Sequence, residues 1–224
     1  MRVFLEIAVK KSRTVTQATR ASIVANASVM ILKKGLASVG MREVMAASHL
    51  TQGGFYRHFA SKGELVAEAY QLALDHLFEM IERETKDKPA AKALSTVINI
   101  YLSQREDEAN TLLCPLAMLG SELTHCDPKI RSIAIDGHAR LVEFIREQLI
   151  RLGRKNASVL ASSITSTLVG AVTLSNIANQ DDEARRILIS AKTSLKEQIS
   201  FVYLLGPRCS LRKKRLGYRR TKRP

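Results

Sequence analysis

Between Thr16 and Leu205 the apolar residues fall at three- and four-residue intervals, segment after segment, a period that admits helices and little else. Ile23, Ala27, Met30 and Ile31 mark a first helix from Thr16 to Lys34, with Gly35 as its natural stop. Two short apolar stretches follow, Met41–Ala47 and Thr51–Phe59. Ser61 and Glu64 then stand at capping-box spacing and open a long helix to about Lys86. Pro89 suits the first turn of a helix ending near Ser103. Gln104–Asn110 reads as a polar loop, and Thr111–Leu123 as a buried helix. Pro128 starts a long helix closed by Gly153. Two more helices, Asn156–Asn179 and Asp181–Leu205, complete an all-α fold. Only five prolines, no tryptophan and few alternating β-branched runs agree with that class.

Charge divides the chain more sharply than hydropathy does. Residues 1–62 carry 10 Lys and Arg against 2 Asp and Glu, residues 63–206 carry 16 against 19, and residues 207–224 carry 9 against none. Basic ends on a nearly neutral body point to a polyanion that meets the ends. Charge alone would also suit a membrane surface. The expected organisation is a basic domain that meets the polyanion over 13–62, a body over 63–206, and a basic tail over 207–224 too poor in apolar residues to pack. No stretch reaches the roughly 18 apolar residues of a membrane span. Glu6 and Lys10-Lys11 cut short the apolar run at Met1–Ile7, so no export leader and no membrane partner are expected. Cys114, Cys126 and Cys209 are odd in number and form no C-x-x-C pair, as in a reducing cytoplasm.

The two short helices and the tight connection Ser48-His49-Leu50-Thr51 have the proportions of a helix-turn-helix. Val44, Leu50, Phe55 and Phe59 are the residues that would lock the pair onto Ile23 and Ala27. Gln52, Tyr56, Arg57 and His58 are the polar residues left over, with Thr51 at the N-cap. The run Thr51-Gln52-Gly53-Gly54-Phe55-Tyr56-Arg57-His58-Phe59-Ala60-Ser61-Lys62 closely resembles the signature of the TetR (tetracycline-repressor) family of bacterial regulators. Cys114-Pro115-Leu116-Ala117 followed by Ser121-Glu122-Leu123 resembles a pattern in the ligand domains of one branch.

That resemblance implies roles. Tyr56, His58 and Lys62 would contact phosphates, with Arg42 a further candidate, while Gln52 would reach base edges, its amide suiting adenine. Gly53 and Gly54 would leave the helix bare for close approach to the duplex. It also implies a homodimer on a pseudo-palindromic double-stranded operator, with the expected interface a four-helix bundle of Asn156–Asn179 and Asp181–Leu205 from each subunit, Gly170 and Ala171 near the middle of the first helix. An unidentified small-molecule effector would release a repressor from that operator. Leu74, Phe78, Tyr101, Cys114, Met118 and Phe144 are the candidate lining of its site. Two positions depart from the pattern: Ser48 stands where Ala is usual and His49 where the turn normally has Gly, a place needing positive φ that His tolerates better than most residues.

Other classes remain open on sequence alone. Cys114 could make the regulator a thiol sensor, although on an apolar helix it is most often a small buried hydrophobe. The basic tail could coat DNA without sequence preference, or have no role. His125-Cys126-Asp127 lacks a fourth ligand, so no metal is expected. No cofactor motif, nucleophile–base pair or phosphate loop appears, so no enzyme is expected either.

Overall fold

The computed structural model describes residues 2–103 and 114–204, with side chains described over 15–103 and 114–199. Every regular element among these residues is helical. They run α1 (Arg2–Lys34), α2 (Met41–Ala47), a 3-10 helix (Gln52–Arg57), α3 (Lys62–Thr85), α4 (Ala90–Leu102), α5 (Pro115–Leu123), α6 (Pro128–Arg151), α7 (Ala157–Ile177) and α8 (Asp181–Leu204). The first three form a head on the start of α3, and α3 to α8 form the body.

Three boundaries differ from expectation. Helix α1 begins at Arg2 rather than Thr16, since no glycine or proline interrupts the chain before Gly35. The segment expected as a helix over Thr51–Phe59 is a 3-10 helix over Gln52–Arg57, shortened by two consecutive glycines. Helix α5 starts at Pro115 with Cys114 as its N-cap, while the Gln104–Asn110 loop and Thr111–Leu113 lie outside the described residues. The basic tail and Cys209 lie outside them too.

The capping box is present in a variant form. Glu64 N–H donates to Ser61 Oγ at 3.1 Å, and Glu64 Oε2 accepts from the backbone of Ala60 at 2.6 Å, one residue before the usual partner. The side chains of α3 run through the centre: Tyr70, Leu74, Leu77 and Ile81 are almost wholly buried, between the head at one end and α4 and α6 at the other. Burying such apolar side chains is worth about 1.5–3 kcal/mol each before entropy is counted, so α3 is the spine of both halves.

Helix α7 has no charged residue over 21 positions, and by length and composition alone it could cross a membrane, contrary to the sequence reading. It is instead a bundle helix packed on α6 and α8, burying Ala161, Ile164, Leu168 and Val172. Its other face leaves Val159, Leu174 and Ile177 more than half exposed, and α8 exposes Ile189 to a similar degree.

Candidate nucleic-acid interface

The turn of the head is fixed by backbone bonds. His49 takes φ 57°, where the family pattern has glycine. His49 N–H donates to Ala46 O at 3.0 Å and Leu50 N–H to Met45 O at 2.9 Å, which is the paired bonding of a Schellman stop. The second departure, Ser48, contributes bonds of its own. Its Oγ donates to Val44 O at 3.1 Å and accepts from Asn26 Nδ2 at 2.9 Å, while the same Asn26 amide reaches Ala47 O at 3.2 Å. Asn26 thus pins the turn to α1, a role that sequence reading missed because its partners lie 21 and 22 residues away.

Phe55 and Phe59 hold the short helix in place. Their rings stack at 5.5 Å, both are buried, and they join Ile23, Ala27, Val44 and Met45 in the head's core. With those side chains turned inward, the polar ones emerge together. Gln52, Tyr56 and Arg57 are exposed, Tyr56 to 71%, with its ring edge-on to Phe55 at 5.2 Å. Thr51 is exposed at the N-cap, but its hydroxyl makes no capping bond; its carbonyl accepts from Gly54 N–H at 3.0 Å instead. A side chain at Gly53 would meet nothing, whereas Gly54 is half-buried beside Met45. His58 is half-buried with Nδ1 unpartnered among the described residues.

Electrostatics separates the head's cations into two groups. Arg20 and Lys34 are used internally. Arg20 pairs with Glu68 and, at 3.0 Å, with Glu64, donates from Nε to His58 O at 3.1 Å, and lies over the Phe59 ring at 4.5 Å. The hydrogen bond to Glu68 is the main cause raising its pKa above the ordinary guanidinium value. Lys34 pairs with Glu43. Arg42, Arg57 and Lys62 are exposed and have no carboxylate in ion-pairing range among the described residues. These three flank Gln52 and Tyr56 in sequence, leaving uncompensated positive charge where a phosphate backbone would lie.

The six residues expected around an effector are not brought together at one opening. Leu74, Phe78, Tyr101 and Cys114 are packed into the interior. Met118 is half-buried, its sulfur 2.9 Å from Asn176 Nδ2. Phe144 lines a surface groove of about 490 Å³ with Glu79, Arg83 and Arg151. Cys114 Sγ–H donates to Tyr101 Oη at 3.3 Å, and burial pushes its thiol pKa up. His125, Cys126 and Asp127 border another groove, of about 430 Å³, between the head and the body.

A hydrogen bond bridges that head–body groove. Glu122 of α5 accepts from Ala37 N–H at 3.0 Å, in the turn between α1 and α2. Gly35, at φ 85°, lies so close that a Cβ there would come within 2.5 Å of Glu122 Oε1. Any other residue there would carry a strained backbone and would have to push the Glu122 carboxylate aside.

Two family models match this chain. Residues 23–69 match the bacterial regulatory proteins of the tetR family, and residues 90–187 match the C-terminal domain of LmrA/YxaF-like transcriptional regulators. The chain belongs to the TetR family. Its LmrA/YxaF-like match spans the Cys114–Leu123 pattern. Among solved structures, a TetR transcriptional regulator from Chloroflexus aurantiacus J-10-FL is 28% identical with a TM-score of 0.73, over 84% of this chain and 96% of that one. The Tn10 TetC protein of Escherichia coli is 27% identical over 43% of this chain and 49% of its own length. The regulator TtgR of Pseudomonas putida is 26% identical over 58% and 65%. This TetR-family chain therefore spans about half to two thirds of these curated relatives' lengths.

Proposed function

We propose that this TetR-family protein is a cytoplasmic, sequence-specific DNA-binding transcriptional repressor, released from its operator by a small-molecule effector bound in the body. The observation that carries the reading is the head's outer face. Gln52, Tyr56 and Arg57 stand exposed on a short helix held by a rigid turn, flanked by Arg42 and Lys62, which make no ion pair among the described residues. Gln52 reads a base edge through its amide, while Arg42, Tyr56, Arg57, His58 and Lys62 set the register on phosphates. Gly53 lets the backbone approach the groove.

One head covers only a half-site, so the reading requires a dimer with recognition helices about 34–36 Å apart. The exposed strip of α7, with Val159, Ser163, Leu174 and Ile177 on one helical face, and the outer face of α8, with Ile189, supply a seam of small and apolar residues. Close helix approach favours such residues. Burial of Cys114 weighs against the thiol-sensor alternative, which needs an accessible thiolate.

Two measurements test the proposal. Footprinting the purified protein on the DNA upstream of its own gene should reveal a protected pseudo-palindrome; uniform coating with no protected site would refute sequence-specific binding. Ile177→Asp should lower the mass in solution to that of one chain and abolish operator binding. If it remains dimeric, the seam lies elsewhere.

A further inference from the structure

The body carries a groove of about 640 Å³ between α5, α6 and α7 that differs in chemistry from the two grooves above. Its floor is apolar, with Leu116 and Leu123 from α5 and Val169 from α7. Its polar margin has two basic side chains, Arg131 and His138, two turns apart on α6, with the hydroxyls of Thr124 and Ser166 beside them, and no carboxylate among the described residues lines it. The other two grooves both carry acidic side chains beside their basic ones. Arg131 makes no ion pair among the described residues, so its guanidinium is available.

Two glycines border this groove from opposite helices. Gly120 in α5 and Gly170 in α7 both lie inside helices, where glycine is less stable than alanine. Neither is required by internal packing, because an added Cβ would meet nothing within 4 Å at either position. Glycine at such a place keeps room for something that is not part of the chain.

We infer that this groove takes an amphipathic organic anion, whose acid group pairs with Arg131 and His138 while its hydrocarbon body lies on Leu116, Leu123 and Val169 between the two glycines. A guanidinium fork binds a carboxylate or sulfonate through two parallel hydrogen bonds. The inference rests on the effector reading and gives that effector a site and a chemical class. It also supplies a route to the head. Leu123 faces the groove and its neighbour Glu122 holds Ala37, so an occupant that displaces the end of α5 loosens the contact joining body to head.

The experiment uses the full-length protein and a fluorescent amphipathic anion, anilinonaphthalene sulfonate. Its emission should rise on binding, decanoate should displace it, and decanol at equal concentration should displace it at least fivefold less well. Arg131→Gln should weaken the probe at least fivefold, and Gly120→Leu should abolish binding by filling the groove while leaving the solution mass unchanged. Equal binding to wild type and both variants would overturn the proposal. So would absence of probe binding together with loss of the dimer in Gly120→Leu, which would show that a second copy of the chain fills the groove. Probe binding that follows the variants, without operator release by decanoate or the probe, would uphold the site and defeat the effector reading instead.

Discussion

Arg20 lies over the ring of Phe59 at 4.5 Å and fastens that ring, through Glu64 and Glu68, to the first two turns of α3. One side chain therefore joins α1, the recognition segment and the spine of the body. Arg20→Ala should destabilise the head by about 1–2 kcal/mol, the sum of a partly shielded cation–π contact and a small ion-pair network. Arg20→Lys should recover little, because an ammonium lacks both the Nε–H that meets His58 O and the planar face that lies on Phe59. Urea unfolding checks the stability. The slope of operator affinity against salt should not change, and a slope reduced by about one would mean that Arg20 contacts phosphate instead.

Gln52→Ala should relax base preference at one position in each half-site, costing roughly 1–3 kcal/mol for the preferred operator and little elsewhere. Lys62→Ala should weaken all sequences alike and reduce the salt slope by about one per phosphate left unneutralised. Binding to a library of single-base operator variants separates the two behaviours. An unchanged specificity profile in Gln52→Ala would remove Gln52 from base reading.

Gly35→Ala should cost about 1–2 kcal/mol from its left-handed backbone alone, with a further cost from displacing the Glu122 carboxylate. In a Glu122→Ala background that further cost should vanish. A double-mutant cycle in urea reads the difference directly, and strict additivity would show that the two residues do not act on each other.

Cys114 should resist alkylation at neutral pH. Its thiol is fully buried, and burial raises its pKa, so little thiolate forms. Cys126 is half-buried and also raised, by burial first and by Glu122 and Asp127 after it, but it can be reached. Mass-spectrometric mapping after iodoacetamide should find label on Cys126 well before Cys114, and Cys114 should label quickly only in denaturant. Rapid native labelling of Cys114 would reopen the thiol-sensor reading.

Local patterns in the sequence translated well into structure. Ser61 and Glu64 announced the start of α3, Gly35 the end of α1, and His49 does occupy the positive φ that its place in the turn demanded. These features depend on residues a few positions apart. Asn26 and Arg20 were not legible, because their partners lie 21 to 48 residues away and nothing in a hydrophobic period marks them. The groove was missed for a related reason. Apolar period identified Leu74, Phe78 and Tyr101 as inward-facing, but inward-facing residues in a well-filled core leave no opening. Where space remains depends on which helices carry glycine along a shared groove, as those of Gly120 and Gly170 do.

The two oxygens of Glu64 serve different neighbours, one accepting from Ala60 and the other from Arg20. The head cannot pivot on the first turn of α3 without breaking both, so head and α3 move as one lever. Twenty-four residues make that lever about 36 Å long. A tilt of about 5° at its far end swings the head by about 3 Å, close to the rise of one base pair. In a symmetric dimer both levers swing, so a rotation too small to disturb the packing of the body puts each recognition segment one rung out of step with its half-site.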